Sequence, residues 1–124
     1  MSEVDPVLRR WFIVHFAVDW MAGVPLLLFP APILALFGWH PIDPTATRLF
    51  AAALLGIGGQ SWLGRNGSRG EYRVMLNLKL IWSGTACLGL AISIAQGAPW
   101  LAWAALAIFV AFFGLWAYHR RAIR

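Results

Sequence analysis

Residues 11–20 read WFIVHFAVDW, an apolar and aromatic run that nevertheless contains a histidine and an aspartate. His15 and Asp19 are four residues apart, so a helix would place them one turn apart on the same face. A charged side chain at the centre of a membrane helix costs roughly 2.5–3.5 kcal/mol on insertion scales. The run therefore raises two questions: which solvent surrounds this chain, and what these two polar side chains do in it.

The composition answers the first question. The chain has 124 residues, of which 60% are hydrophobic and only 12% are charged, whereas soluble domains carry about 25% charged residues. A water-soluble globule of this size has too little interior to bury so much apolar surface. We therefore expect an integral membrane protein that is covered by lipid.

The charge, the cysteine count and the motifs exclude other classes. The formal net charge is +5, but no basic stripe with interleaved aromatic residues marks a nucleic-acid site, so the charge indicates membrane topology instead. Cys87 is the only cysteine, which excludes an intrachain disulfide and a cysteine-rich metal site. The sequence contains no Walker loop, dinucleotide fingerprint, nucleophile elbow or HExxH motif. No metal site is predicted, and no cofactor is indicated.

Three of four apolar stretches reach or approach the length of a membrane span, since a bilayer core about 30 Å thick needs roughly 20 helical residues. The second stretch is short, with Thr45–Thr47 available to add a turn. We predict an all-α fold, a four-helix transmembrane bundle that forms one domain over residues 1–124. Pro25 is expected to kink the first helix and Pro30 to end it, and Thr45 or Thr47 is expected to cap the second. The predicted helices are 11–29, 48–64, 74–96 and 99–118, with 30–39 as an interfacial or re-entrant segment.

The positions of lysine and arginine predict the orientation. The loop between the first and second helices contains only Arg48, and the loop between the third and fourth contains neither residue type. Because positive residues favour the cytoplasmic side, both termini and the middle loop are predicted to lie there. The residues on that side are Arg9, Arg10, Arg65, Arg69, Arg73, Arg120, Arg121 and Arg124.

Small and aromatic residues predict how the bundle packs. Ala52, Gly56 and Gln60 share one face of the second helix, and small residues four apart let helices approach closely in lipid. We expect this face to pack inside the bundle, with a homodimer contact as the alternative. Trp116 and His119, near the end of the fourth helix, are expected at the membrane interface.

The predicted orientation gathers the polar residues in the cytoplasmic half of the bundle. His15 and Asp19 lie about 7 and 13 Å in from Arg10 at about 1.5 Å per residue, and they are the candidate catalytic pair. Lys79 either pairs with Asp19 from the third helix or extends to the headgroups. The residues predicted to line a ligand pocket are Trp20, Gln60, Ser61, Asn77, Lys79, Trp82 and Ser83.

Three functions remain open at this point. In the first, the bundle binds an apolar ligand (an isoprenoid, a sterol-like molecule, a quinone or a pigment), and Asp19 exchanges a proton with it, with His15 as its partner. In the second, the chain is an accessory subunit of a larger membrane complex and the polar cluster is structural. In the third, it is a small proton-coupled exporter, although the motifs of small multidrug transporters are missing.

The segment RLFAAALLGIGGQSW at residues 48–62, which follows a first segment ending near LFG, resembles DoxX-like small bacterial membrane proteins. The resemblance covers about the first two helices. It implies a four-helix bundle in the inner membrane, in some members linked to quinone or redox systems. It assigns no catalytic residue.

Overall fold

The computed structural model describes residues 4–123, which form five α-helices and contain no β-strand. The predicted all-α class is confirmed. The chain divides into two compact units, one that holds the first three helices and ends at Gly67, and one that begins at Ser68 and holds the last two. The helices are α1 (Pro6–Leu28), α2 (Pro30–Leu36), α3 (Pro44–Leu63), α4 (Arg69–Ala95) and α5 (Trp100–Ala122).

Three of the described helices, α1, α4 and α5, are long and apolar enough to cross a membrane. Helix α3 has 20 residues, but Arg48, Gln60 and a first turn rich in threonine leave it without a stretch as apolar as those in the other three. The fold is therefore that of a membrane protein with three candidate spans.

The helices α1 and α3 begin earlier than predicted because aspartates ahead of the apolar runs cap them. Asp5 caps α1 and Asp43 caps α3. The Oδ1 atom of Asp43 accepts hydrogen bonds from the backbone N–H groups of Thr45 and Ala46 at 3.0 and 3.1 Å, which satisfies donors that the helix itself leaves open. The prediction that Thr45 or Thr47 caps this helix is therefore wrong.

Helix α4 begins at Arg69 rather than at residue 74 because a capping box extends it into the polar loop. The Ser68 hydroxyl accepts from the backbone N–H of Glu71 at 3.1 Å, and the Glu71 carboxylate accepts from the backbone N–H of Ser68 at 2.9 Å. Helix α5 extends to Ala122 rather than to residue 118, with basic residues in its last turn, where the helix dipole favours positive charge. These residues are His119, Arg120 and Arg121.

The first apolar run divides near Pro30, as predicted, and glycines close two helices of the chain. Helix α1 continues through Pro25 and ends at Leu28, and Pro30 begins α2 at a position where proline is tolerated. Gly38, with a φ of 77°, closes α2 in a Schellman motif, and Gly97, with a φ of 91°, closes α4 in the same way. The 30–39 segment is thus mostly a short helix, and its membrane location stays a prediction.

Helices α1 and α3 pack antiparallel along their whole length. At one end the Arg9 Nε donates to the carbonyl of Arg65 at 2.9 Å, and at the other the Arg48 Nε donates to the carbonyl of Leu27 at 3.0 Å. Residues three or four apart form the buried stripe of each helix. The stripes are Leu8, Phe12, His15, Asp19 and Gly23 on α1, and Ala51, Leu54, Gly58 and Ser61 on α3.

The small-residue face predicted to pack inside the bundle is the wrong face of this helix. Ala52, Gly56 and Gln60 are exposed, and a Cβ built on Gly56 would meet nothing within 4 Å. Close packing occurs about two residues further on, at Gly58. Because small residues fill both faces of the segment AAALLGIGG, spacing alone does not identify the face that packs. The homodimer alternative stays a prediction.

The second unit is the antiparallel hairpin of α4 and α5. Near its open end, the Arg120 Nε donates to the Asn77 Oδ1 at 2.7 Å. Further along, a Cβ built on Gly84 would lie 3.1 Å from the ring of Phe113, so the two helices approach closely there. The buried residues are Tyr72, Met75, Leu76, Lys79 and Ser83 on α4, and Ala102, Trp116 and His119 on α5.

Candidate functional site

The candidate site of the first unit centres on the histidine and aspartate of α1. The His15 Nε2 lies 3.2 Å from the Asp19 Oδ2, and the two residues are only 3% and 5% exposed. Their predicted proximity is confirmed. An imidazole and a carboxylate at this distance form an ion pair or share a proton, depending on protonation, so the pair has the chemistry of a proton donor and acceptor.

Asp19 lies against the backbone of α3 at Gly58. A Cβ built on this glycine would lie 2.6 Å from the Asp19 Cβ and 3.1 Å from its Oδ2. Real Cβ atoms do not approach other atoms as closely as 2.6 Å. The absence of a side chain at Gly58 therefore lets the carboxylate lie in the helix interface. Sequence reasoning missed this residue, although the repeated glycines of GIGG were the signal for a close approach.

Trp20, the residue after Asp19, extends from α1 to α3. Its indole Nε1 donates to the carbonyl of Leu55 at 3.1 Å, and the residue is 41% exposed. The ring of Phe16 lies 5.6 Å from that of Trp20 and 5.2 Å from that of Trp62, centroid to centroid. These three rings, the aromatic row, give the outer surface of the α1–α3 pair a set of flat apolar faces.

The two predicted pocket residues of α3 differ in their burial. Ser61 is buried and shares the stripe of Gly58, and its hydroxyl donates to the carbonyl of Ile57 at 3.0 Å within the same helix. Gln60 is exposed. Of the two, only Ser61 lies on the buried face of α3.

The second unit buries a lysine in α4. Lys79 is 2% exposed, and its Nζ lies 4.8 Å from the ring centroid of Trp116, within the range of a cation–π interaction. The Ser83 hydroxyl donates to the carbonyl of Lys79 at 2.7 Å, so these two predicted residues are neighbours on one stripe. Whether Lys79 pairs with Asp19 or extends to the headgroups stays a prediction.

The other two predicted residues of α4 contact α5. Trp82 is half-buried and packs its ring edge-on against Phe109, with centroids 5.8 Å apart and planes at 71°. Asn77 is exposed and accepts the hydrogen bond from Arg120. Both side chains therefore link α4 to α5 and stabilise the helical hairpin.

Two residues that the sequence placed at the membrane interface pack inside the second unit, and their depth in the membrane stays a prediction. Trp116 is fully buried and stacks on Phe112, with centroids 5.5 Å apart and planes at 15°, and His119 is 5% exposed. Sequence reasoning missed Trp116 as the partner of Lys79. The available signal was the short loop after α4, because it forces an antiparallel hairpin in which the end of α5 returns to the start of α4.

The predicted pocket residues are divided between the two units. His15, Asp19, Trp20, Gln60 and Ser61 belong to the first unit, and the contacts described for them lie within it. The second unit holds Asn77, Lys79, Trp82 and Ser83. Within residues 4–123, no group of three or more histidine, cysteine or acidic side chains is arranged to hold a metal ion.

Comparison of the chain with known protein families, with characterised proteins and with solved structures finds no match. The DoxX-like resemblance of residues 48–62 therefore stays a prediction.

Proposed function

We propose that this chain is an integral protein of a bacterial cytoplasmic membrane that binds an apolar ligand with a polar head at the His15–Asp19 pair. The observation that carries the proposal is the buried 3.2 Å contact between these two side chains in a helix long and apolar enough to span a membrane. Ionisable residues in membrane helices are costly, face the bundle interior or a cavity, and mark paths for protons or ligands.

The proposed topology has four spans, with both termini in the cytoplasm. Helix α3 has no stretch as apolar as those in α1, α4 and α5, but it runs beside α1 from the Arg9–Arg65 contact to the Leu27–Arg48 contact. A membrane that contains α1 along its length would therefore contain α3 as well. The excess of arginine in the middle loop and at the two ends of the chain supports the orientation.

The aromatic row supports a ligand with a flat ring. Trp20 is adjacent to Asp19 in the sequence, and the stacked rings of Phe16 and Trp62 continue the row along the α1–α3 pair. Aromatic rings stack on one another with centroids roughly 4.5–7 Å apart. Among the ligand classes considered, a quinone combines such a ring with carbonyl oxygens that accept a hydrogen bond from an N–H of His15 or from the protonated carboxyl of Asp19. We therefore propose a quinone-like ligand.

A binding measurement on the purified protein tests this proposal. Decylubiquinone is the probe, titrated into the protein in detergent micelles, and the lipids that co-purify with the protein are extracted and identified by mass spectrometry. We expect Asp19→Val and His15→Leu to weaken decylubiquinone binding about tenfold each, because each substitution removes a hydrogen-bonding group from the site. Both variants should still insert into the membrane.

Asp43→Asn is the matched control, because asparagine caps a helix about as well as aspartate and Asp43 lies outside the site. Equal decylubiquinone affinity in the wild type and in all three variants would contradict the proposal. A chain that binds no decylubiquinone, retains no lipid and is stable only with partner subunits would replace the proposal with the accessory-subunit function.

A further inference from the structure

The α4–α5 hairpin carries a cluster of arginines where α4 begins and α5 ends. Arg69, Arg73 and Asn77 are spaced four apart, so they follow one face of α4 in successive turns. Helix α5 contributes Arg120 to this face, because its Nε donates to the Asn77 Oδ1 at 2.7 Å. We call Arg69, Arg73 and Arg120 the arginine cluster.

The three arginines of the cluster are partly shielded from solvent by the protein. All three residues are half-buried, whereas the neighbouring Arg121 is exposed. The Nε of Arg69 is buried and has no hydrogen-bond partner among residues 4–123. A buried donor without an acceptor is unfavourable, so an acceptor oxygen placed at this nitrogen would stabilise the side chain.

No acidic side chain of the second unit neutralises the cluster. Glu71 is the only acidic residue after Ser68. It is two residues from both Arg69 and Arg73, which places it roughly 200° around the helix from each. Its carboxylate accepts the backbone N–H of Ser68 in the capping box. Among the described residues of the second unit, the cluster therefore has no acidic side chain to pair with.

We propose that the arginine cluster binds the phosphate group of an anionic phospholipid. Arginine has five N–H donors in a planar array that matches phosphate oxygens in pairs, and Asn77 engages only one donor of Arg120. Basic pockets between membrane helices on the cytoplasmic side bind such headgroups.

The apolar surface next to the cluster fits the acyl chains of that lipid. Val74, Leu78 and Ile81 are exposed on α4 directly after Arg73, and α4 is a candidate membrane span. This surface favours a lipid over a free phosphate ion. The inference rests on the membrane location proposed above but not on the ligand at His15 and Asp19.

Native mass spectrometry in nanodiscs tests the inference. The wild type is reconstituted in phosphatidylcholine containing a fraction of phosphatidylglycerol, and the ratio of the two lipids retained by the protein is measured. We expect the double substitution Arg73→Gln and Arg120→Gln to lower the preference for phosphatidylglycerol about tenfold. Arg10→Gln with Arg121→Gln removes the same charge at two exposed positions and should leave the preference within about twofold of the wild type.

Asn77→Ala is a second variant that keeps every charge but frees Arg120. It should lower the preference about threefold, and it decides the question if the double variant does not fold in pure phosphatidylcholine. An equal loss in the exposed-arginine control would overturn the proposal, because it would show a diffuse charge effect. Full displacement of the lipid by glycerol phosphate would also overturn it, since the site would then hold a free phosphate group.

Discussion

The side chain of Asp19 lies in contact with Gly58, so close that a Cβ built on the glycine would be 2.6 Å from the Asp19 Cβ. The helices α1 and α3 approach closely at this point because Gly58 has no side chain where Asp19 lies. The contact also places the Asp19 carboxylate, which lies 3.2 Å from His15, in the helix interface. The packing of the first unit and its candidate chemistry therefore depend on the same pair of residues.

Gly58→Ala should destabilise the first unit. The added methyl group has no space beside Asp19, and overpacking of this kind costs about 1–3 kcal/mol. Thermal unfolding in detergent would show a lower Tm for this variant. Gly56→Ala is the matched control, because its methyl group meets nothing within 4 Å and alanine favours a helix over glycine by about 1 kcal/mol. Equal Tm values for the two variants would contradict the close approach at Gly58.

Trp20→Phe should remove the hydrogen bond to the Leu55 carbonyl while keeping an aromatic ring. The expected loss is about 0.5–1.5 kcal/mol, the net value of one such bond. Unfolding by sodium dodecyl sulfate in mixed micelles measures it. Trp103→Phe, at a residue that is 61% exposed, is the control and should change stability less. If both substitutions have the same effect, the indole of Trp20 contributes only apolar area.

The sequence predicted the helices better than their ends. The prolines at positions 25 and 30 and the apolar runs between loops indicated the helices, because hydropathy and proline geometry are local properties. The predicted starts of α1, α3 and α4 lie several residues after the observed ones, since hydropathy detects only the apolar part of a helix. Each of these helices begins in polar residues, where Asp5, Asp43 and Ser68 act as caps.

Ser68→Ala should shorten α4 from its N-terminus. The substitution removes the acceptor for the Glu71 N–H, and the loss of an N-cap costs about 1 kcal/mol. Hydrogen exchange at the Glu71 amide should become faster, and the Tm should fall. Ser68→Asp retains a capping oxygen and should stay near the wild type. Unchanged exchange at Glu71 in the alanine variant would show that the capping box does not hold the helix start.

Lys79 and Trp116 should be energetically coupled. The ammonium group lies over the indole ring, and desolvated cation–π pairs contribute about 2 kcal/mol. A double-mutant cycle with Lys79→Met and Trp116→Leu measures the coupling from unfolding free energies. Methionine keeps an unbranched apolar chain, so the cycle isolates the charge. Additive losses would contradict the interaction, whereas we expect a coupling of at least about 0.5 kcal/mol.

Part of the candidate site could be predicted from the sequence, and the reason is geometric. His15 and Asp19 lie in one helix, so their contact follows from the rise and turn of a helix. The partners Gly58 and Trp116 lie in other helices, and their positions depend on which face packs and in which register. Composition and spacing do not fix that register, because apolar and small residues occur on every face of α3 and of α5.

Labelling of single cysteines in bacterial spheroplasts tests the central claim, that the chain crosses the membrane four times with both ends in the cytoplasm. Each cysteine replaces an exposed residue (Arg10, His40, Gln96 or Arg121) in a Cys87→Ser background, and a membrane-impermeant maleimide is added from outside. The proposed topology predicts labelling at positions 40 and 96, and protection at positions 10 and 121 until the membrane is permeabilised. Labelling of positions 10 and 121 from opposite sides would contradict it, because the chain would then cross the membrane an odd number of times.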